Sequence, residues 1–302
     1  MREPAPIVIL TNTRDLAADD VIRRLAKSHN VLRINADKEI PGPLWNLHGR
    51  NGSIGAVWWR QFERWPQGTL DAAAIDDILV NRAQWRTWLS TLDDGQAPWI
   101  NPIWNARRAE NKVEQLRQAV SSGFSVPETI ITNQLEQARK FSESSPSVLK
   151  SITSAYFEFS GDGFVYTHSV EDALTLTARD WREQPLIVQR RTFGDDVRII
   201  VFDDQAFGAT CSSVGIDWRK SSEKVEWSEW QVPHELSEKC RTYMSVFGLR
   251  YAAFDFIVDE DNQWFLEANQ AGEWVFLDRP LKLGIAEGLA QFLARLSEGR
   301  PK

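Results

Sequence analysis

The chain has 302 residues, of which 42% are hydrophobic and 25% charged, with 17 Gly and 13 Pro, and this composition excludes a disordered, collagen-like or low-complexity protein. Its net charge of -7 argues against binding of the nucleic-acid backbone as the main task, because such binding needs a concentrated basic surface. Two cysteines without metal-site spacing and an N-terminal apolar run too short for a signal or membrane segment predict a soluble, cytoplasmic protein.

The first hundred residues alternate between strand and helix patterns. Strand patterns lie at residues 7–10, 31–35 and 54–59, and helical patterns lie at 15–26 and 71–92. The segment from Trp99 to Pro102 has the pattern of a short edge strand that leads into a linker. These elements predict a small α/β unit at the N-terminus.

The rest of the chain mixes helices with hairpins. Helices are predicted at 106–121, 134–142 and 237–247, with a capping box of Asn133 and Glu136 at the second of them. Strands are predicted at 128–132, 147–151 and 186–191, and hairpins at 156–169 and 196–213. The whole pattern predicts a mixed α/β (α+β) fold.

The most informative segment is a further hairpin near the C-terminus. Its strands, 253–258 and 264–269, flank the turn-forming residues 259–262. If Val258 pairs with Trp264, then Asp255 faces Glu267. In that register the pairs Phe256/Leu266 and Phe254/Ala268 share an apolar face, while Asp255, Glu267 and Asn269 share the other face.

Two carboxylates in this position need a compensating positive charge. Directly opposite Cβ atoms lie roughly 5 Å apart, and like charges at that separation destabilise a sheet. Carboxylate and amide oxygens are donors that suit Mg²⁺, so Asp255, Glu267 and Asn269 are candidate metal ligands. The alternative is a solvated sheet face that is acidic without binding a metal.

Other candidate residues leave two interpretations open. Lys150 ends an apolar strand and could reach the phosphates of a ligand or could be a surface lysine. The Ser160–Gly163 loop could close over phosphates or form a tight turn. Arg198 could bind a phosphate or pair with Asp196. We find no Ser-His-Asp or Cys-His nucleophilic set in the sequence, and the four histidines lack ligand spacing.

In chain order these motifs resemble the ATP-grasp ligases over roughly residues 100–280. Asn111-Lys112 followed by GFSVPETIIT, and then VLKS, resemble the stretches that carry the two nucleotide-contacting lysines, here Lys112 and Lys150. IVQ ending at Gln189 resembles the hinge strand that lines the adenine, and DVR resembles the motif of the phosphate-side arginine, Arg198. The segment from FDF through FLEAN resembles the Mg²⁺ ligand motif.

The resemblance implies an ATP-grasp fold with an N-terminal Rossmann-like pre-ATP-grasp domain, indicated by VWWR ending at Arg60. We expect domains at 1–104 (pre-ATP-grasp), 105–186 (central subdomain) and 187–302 (C-terminal subdomain with the Mg²⁺ site). The implied cofactors are ATP and Mg²⁺. The implied ATP-binding residues are Lys112, Lys150, Gly161, Gly163, Gln189, Arg190 and Arg198, with Lys150 and Arg198 also catalytic.

Within the superfamily, the WIN motif and the Asn-Xaa-Xaa-Gly-Glu-Trp motif ending at Trp274 most resemble graspetide synthetases, the microviridin-type macrocyclases of ribosomal peptides. Ribosomal-protein glutamate ligases are close relatives. The implied partner is a precursor peptide with a leader helix, for which Asp195, Asp196 and Arg219 are candidate contacts. A homodimer is common among such enzymes, while no membrane partner is expected.

Two positions depart from the family pattern. Gln189-Arg190-Arg191 stands where the hinge commonly reads Gln-Glu, and Gln270 stands where proline usually follows the metal-binding asparagine. Neither change removes a predicted metal ligand. Besides a macrocyclase, the sequence is compatible with a ligase that appends an amino acid or joins small molecules, and with a nucleotide-binding scaffold that lacks turnover.

Overall fold

The computed structural model describes residues 5–39, 54–60, 62, 72–93, 97–152, 168–169, 185–212 and 225–299. Three sheets organise this part of the chain. None of the helices in it combines the length and the apolar character that a bilayer crossing requires.

The first sheet is parallel and has the strand order β2-β1-β3-β4. Its elements are β1 (Ile7–Thr11), α1 (Leu16–Leu25), β2 (Val31–Asn35), β3 (Ala56–Trp59), α2 (Ala72–Leu92) and β4 (Trp99–Ile100). Strand β4 lies at the edge of the sheet, as predicted. Alternation of apolar strands with helices produces this α/β unit because each helix buries apolar residues on the sheet, such as Val21 of α1 and Leu89 of α2.

Two helices and a second sheet follow. The helices are α3 (Ile103–Ala109) and α4 (Lys112–Ser121), and the sheet has the strand order β5-β8-β6-β7. Its elements are β5 (Thr129–Thr132), α5 (Leu135–Ser142), β6 (Ser147–Ser151), β7 (His168–Ser169) and β8 (Leu186–Arg190). Helix α5 covers one face of this sheet through Ala138, which packs on Leu149 and Val188. The predicted domain boundary at 186/187 lies inside β8, and both domain boundaries remain predictions.

The third sheet is antiparallel, with the strand order β11-β10-β9-β12-β13. Its strands are β9 (Asp195–Phe202), β10 (Gln205–Cys211), β11 (Ser228–Trp230), β12 (Tyr251–Val258) and β13 (Gln263–Asn269), with α6 (His234–Phe247) before β12. The chain ends with α7 (Val275–Leu281) and α8 (Ile285–Ser297). One face of the sheet buries an aromatic cluster that includes Phe124, Tyr243 and Phe254.

The first and third sheets share a core. A single apolar cluster joins Ile9 and Trp58 of the first sheet to Phe202 and Tyr251 of the third sheet. Leu289 of α8 packs in the same cluster. The N-terminal unit therefore rests directly on the sheet that carries the predicted metal hairpin.

Two predicted helix features are wrong. The helix expected at 106–121 is two helices, because the chain breaks at Glu110 and Asn111 caps α4 by accepting hydrogen bonds from the Val113 and Glu114 amides at 3.0 and 3.1 Å. The capping box of Asn133 and Glu136 is replaced by Gln134 at the N-cap, and the Thr132 hydroxyl accepts from the Gln134 amide. In both places a nearby polar side chain accepts hydrogen bonds from backbone amides, and this moves the start of the helix away from the predicted position.

Candidate active site

The hairpin of β12 and β13 brings the three predicted metal ligands together. Asp255 is directly opposite Glu267, and Asn269 lies on the same face of β13, opposite Ala253. The Asn269 amide nitrogen lies 3.2 Å from Glu267 Oε1 and 3.5 Å from Asp255 Oδ2. The amide therefore stands between the two carboxylates.

The predicted register of this hairpin is correct on one side of Asp255 and wrong on the other. Phe254 pairs with Ala268 as predicted, but a bulge follows, so that Phe256 pairs with Phe265 instead of Leu266 and Val258 pairs with Gln263 instead of Trp264. The extra residue in β13 turns Phe265, which is fully buried, into the aromatic core. Burial of the larger aromatic ring explains the shift.

Two cations from other elements neutralise the carboxylates. Lys112 Nζ lies 3.0 Å from Glu267 Oε2. Arg198 Nη1 donates to both oxygens of Asp255, at 2.9 and 3.1 Å. Arg198 is on β9, where it is the direct neighbour of Asp255 in the sheet. The chain therefore supplies positive charge to both carboxylates itself.

The break between α3 and α4 places Lys112 at the site. The Gln115 side chain, buried one turn into α4, donates to the Ala268 carbonyl at 2.9 Å and accepts from the Ala268 amide at 3.1 Å. These bonds fix the start of α4 against β13. No sequence signal identified Gln115, since a glutamine within a helical pattern is ordinarily a solvent-exposed residue.

Lys150 and Gln189 form a second polar pair in the β5-β8-β6-β7 sheet. Lys150 Nζ donates to Gln189 Oε1 at 2.7 Å, and Gln189 Nε2 donates to Thr129 Oγ1 at 2.9 Å. Both side chains lie on the face away from α5, because Leu149 and Val188 face that helix. The Lys112 amide donates to the Ile152 carbonyl at 3.4 Å, so the end of β6 meets the start of α4. The two predicted nucleotide lysines therefore belong to neighbouring elements.

Arg190 lies on the opposite face of β8. Its Nε bonds to Glu128 at 3.0 Å, its Nη2 donates to Ser144 Oγ at 2.8 Å, and its guanidinium covers the Phe141 ring at 3.9 Å. The side chain is thus held at the end of α5, away from Lys150. The predicted nucleotide contact of Arg190 is therefore limited to its backbone and stays a prediction.

The three predicted peptide contacts are only partly described. Asp195 and Asp196 open β9, where Asp195 is exposed and Asp196 half-buried. Arg219 lies outside the described residues, as do Gly161 and Gly163 of the predicted phosphate loop.

Arg198 has capacity for a further ligand. It is only 8% exposed, and its Nε has no hydrogen-bond partner within the described part of the chain. A Cβ on Gly272 would lie 2.8 Å from Arg198 Nη2 and 2.5 Å from Ala253 Cβ, so only glycine leaves this side of the guanidinium open. A buried, incompletely paired guanidinium beside two carboxylates suits an anion such as a phosphoryl group.

The three ligand candidates also suit a divalent cation. Rotation of the Asn269 amide would place Oδ1 where Nδ2 now stands, which would give a donor set of two carboxylates and one amide oxygen. Oxygen donors of this kind match Mg²⁺.

No family model matches the chain. The chain is 26% identical to the tetrahydromethanopterin:alpha-L-glutamate ligase of Methanocaldococcus jannaschii, over 94% of this chain and 96% of that protein.

Three solved structures are similar over nearly the whole chain. The macrocyclase MdnC of Microcystis aeruginosa MRC, bound with the precursor peptide MdnA, has a TM-score of 0.79 at 22% identity, covering 96% of this chain and 99% of that chain. The RiPP-associated ATP-grasp ligase of Chryseobacterium gregarium, in complex with ADP and a leader and core peptide, has a TM-score of 0.77 at 25% identity, covering 99% and 98%. The ATP-grasp ligase PsnB, complexed with a phosphomimetic variant of its minimal precursor, Mg and ADP, has a TM-score of 0.78 at 21% identity, covering 98% and 100%.

The predicted fold is confirmed: the protein has the ATP-grasp fold and is a relative of the ATP-grasp ligases. Its relatives include a glutamate ligase and a RiPP-associated ATP-grasp ligase. This agrees with the resemblance inferred from the motifs and supports a ligase.

Proposed function

We propose that the protein is an ATP-dependent carboxylate ligase that macrocyclises a ribosomal precursor peptide through side-chain ester or amide bonds. The observation that carries the proposal is the convergence of Asp255, Glu267 and Asn269 on one sheet face with Lys112 and Arg198. Such a set neutralises and positions phosphates and contains no protein nucleophile, as expected for phosphoryl transfer.

Each residue of the set has a role in this proposal. Asp255, Glu267 and Asn269 would hold Mg²⁺, which when bound screens the phosphate charge and orients the γ-phosphoryl group. Lys112, Lys150 and Arg198 offset the remaining negative charge. Because Lys112 and Arg198 already rest on the carboxylates, they are in place to exchange those partners for phosphate oxygens when the nucleotide binds.

The reaction has two covalent steps. A substrate carboxylate oxygen attacks the γ-phosphorus, the bond to the β,γ-bridging oxygen breaks, and ADP leaves. An amine nitrogen or hydroxyl oxygen of the same peptide then attacks the acyl carbon, the bond to the phosphate oxygen breaks, and phosphate and one proton leave. The net loss from the peptide is one water for each ring.

The remaining predicted residues complete the proposal. The backbone of Gln189 and Arg190 would line the adenine, and the Gly161–Gly163 loop would close over the phosphates. Asp195, Asp196 and Arg219 are proposed contacts of the leader segment. A cytoplasmic location and a homodimer remain predictions.

A peptide substrate is supported by the neighbours MdnC, PsnB and the Chryseobacterium gregarium ligase, whose structures contain precursor, leader or core peptides. The second candidate is a ligase that appends an amino acid. The observation that favours it is the similarity to a glutamate ligase over 94% of the chain.

Intact-mass spectrometry of a short peptide encoded beside this gene, co-expressed with the enzyme, separates the candidates. We expect the loss of whole waters with the wild-type enzyme and an unmodified peptide with Glu267→Gln or Glu267→Ala. Glu229→Ala, which changes an exposed glutamate on β11, is the matched control and should retain the product.

The other outcomes are equally informative. An added residue mass would replace the macrocyclase with the appending ligase. An unchanged peptide, together with the absence of peptide-stimulated ADP release, would reduce the protein to a nucleotide-binding scaffold.

A further inference from the structure

One aromatic side chain lies beside the arginine of the proposed site, and a second aromatic side chain packs against the first. The Arg198 guanidinium carbon lies 5.9 Å from the centre of the Phe276 ring. The Phe276 ring in turn meets the Trp227 ring edge-on, with 5.7 Å between centres and 66° between planes. Trp227 directly precedes β11, and Phe276 is in α7, which follows β13. The contact therefore joins chain segments next to the two edge strands of the third sheet.

The position of Phe276 is fixed by the turn that follows the metal hairpin. Trp274, two residues before Phe276, is fully buried in the shared core, and Gly272 lies against Arg198. The Phe276 ring nevertheless keeps 36% of its surface exposed, while Arg198 beneath it is only 8% exposed. Scattered exposed aromatics are ordinary on a protein surface. This one covers the cation that would bind the transferred phosphoryl group.

We propose that Phe276 and Trp227 form an aromatic wall that excludes water from the acyl phosphate. This inference rests on the proposed function. If water reaches the intermediate, its oxygen attacks the acyl carbon, the carbon–oxygen bond to phosphate breaks, and the products are the original carboxylate, inorganic phosphate and one proton. ATP is then consumed without a ring. An apolar wall also strengthens the attraction between Arg198 and phosphate by lowering the local dielectric.

If the aromatic wall excludes water, it keeps ATP consumption coupled to ring formation. With the wild-type enzyme and the precursor peptide encoded beside the gene, we expect one ADP for each ring. Phe276→Ala and Trp227→Ala should raise the ADP released per ring severalfold, whereas Phe276→Leu, which keeps an apolar side chain, should stay near the wild-type ratio.

A reaction in ¹⁸O-labelled water reports the hydrolysis directly. In the alanine variants the mass of the linear peptide should increase, because attack of water on the acyl carbon places ¹⁸O in its carboxylate. Trp104→Ala is the matched control, since Trp104 is an exposed aromatic under Arg107 at 5.1 Å but lies in α3. This control should leave both the ratio and the labelling unchanged.

The outcomes separate this proposal from the one it rests on. If the wild-type enzyme forms rings and the alanine variants keep the same ADP-to-ring ratio, the wall is disproved, even if both rates fall together. If the wild-type enzyme forms no ring and releases no ADP with this peptide, the proposed function fails and the wall fails with it.

Discussion

At the scale of single residues, the site is defined by charge balance. Asp255 and Glu267 are opposite one another in a sheet, where two unscreened carboxylates repel. Arg198 and Lys112 each hold one of them, so the group is neutral before any ligand binds. A Mg²⁺-nucleotide would bring both charges at once, and the cations would then bind phosphate without leaving the carboxylates uncompensated.

Arg198→Lys tests whether the shape of the guanidinium matters as well as its charge. Arg198 binds Asp255 through one nitrogen and keeps Nε for a further partner, whereas a lysine supplies one ammonium point charge. Loss of a positioned donor at a developing negative charge slows a reaction by about a hundredfold or more. We expect that fall in peptide-stimulated ADP release.

The matched control is Arg190→Lys, because the Arg190 side chain is held by Glu128 and Ser144 on the other face of its sheet. It should change the rate little. Equal losses in the two variants would show that the effect is general to the fold and would contradict the role given to Arg198.

The two cysteines give a second prediction at this scale. Burial, together with Asp196 and Asp195, raises the pKa of Cys211 to about 12, and burial raises the pKa of Cys240. Thiol reagents react with the thiolate, so the native protein should be inert at pH about 8. Both thiols should react once urea unfolds the chain. Fast labelling of one thiol by Ellman's reagent in the native state would contradict the buried placement.

At the scale of elements, apolar periodicity predicted most strands and helices to within a few residues. The predicted strand at 147–151 matches β6, and alternation along β12 correctly placed Asp255 opposite Glu267. Periodicity works here because each strand has one buried face. Periodicity therefore placed Asp255, Glu267 and Asn269 of the candidate site on one face of the hairpin.

The features that sequence patterns missed depend on contacts between distant segments. The bulge in β13 follows from packing of Phe265 against Phe124 and Tyr243, which come from other elements. Asn111 caps the start of a new helix, α4, where periodicity alone predicted one helix from residue 106 through residue 121. The side-chain face of Arg190 is decided by Glu128 and Phe141, and none of these partners is visible in a local pattern.

Asn101 links three elements through one side chain. Its Nδ2 donates to the Tyr251 and Gln270 carbonyls, both at 2.8 Å, and its Oδ1 accepts from the Arg250 and Tyr251 amides. Asn101→Asp keeps the size but loses both donors and faces the two carbonyls with an oxygen. We expect the free energy of unfolding to fall by about 3 kcal/mol or more, measured by urea denaturation.

Asn105→Asp is the matched control for that experiment. The same chemical change there removes one hydrogen bond, from Nδ2 to the Gly248 carbonyl at 2.9 Å, at a partly exposed position. Its cost should be about 1 kcal/mol. If the two variants lose equal stability, Asn101 is not the tie between β4 and the third sheet.

At the scale of the whole molecule, the buried Arg60 pairs with Asp15 of the N-terminal unit and also with Glu273, which follows the β12–β13 hairpin. Arg60 Nε donates to Asp15 Oδ2 at 2.8 Å, and Arg60 Nη2 bonds to Glu273. Asp15 also caps α1 by accepting from the Ala18 amide and accepts from the Thr11 hydroxyl at 2.6 Å. Because Glu273 follows Gly272, the Arg60–Glu273 pair couples the position of the first sheet to the neighbourhood of Arg198.

The Arg60–Asp15 pair predicts how the free energy of unfolding depends on pH. Burial alone would raise the pKa of Asp15, but the charge of Arg60 and the hydrogen bonds from Thr11, Arg60 and the Ala18 amide lower it below its ordinary value. A carboxylate with a lowered folded-state pKa stabilises the protein above the unfolded-state pKa of about 3.9, and the contribution is lost as pH falls through the folded-state pKa.

Asp15→Asn removes this contribution at every pH. At pH about 7 the variant should lose about 3 kcal/mol of unfolding free energy, since Arg60 stays buried with Glu273 as its remaining carboxylate in this network. Below pH about 4 the wild-type protein loses the same contribution, so the gap between the two proteins should narrow. Urea denaturation followed by the fluorescence of the 14 tryptophans measures both. Glu39→Gln, at an exposed glutamate, is the control and should have the same free energy of unfolding as the wild type. If the difference in unfolding free energy between Asp15→Asn and the wild type stays constant down to pH about 3, the charge of Asp15 does not stabilise the protein.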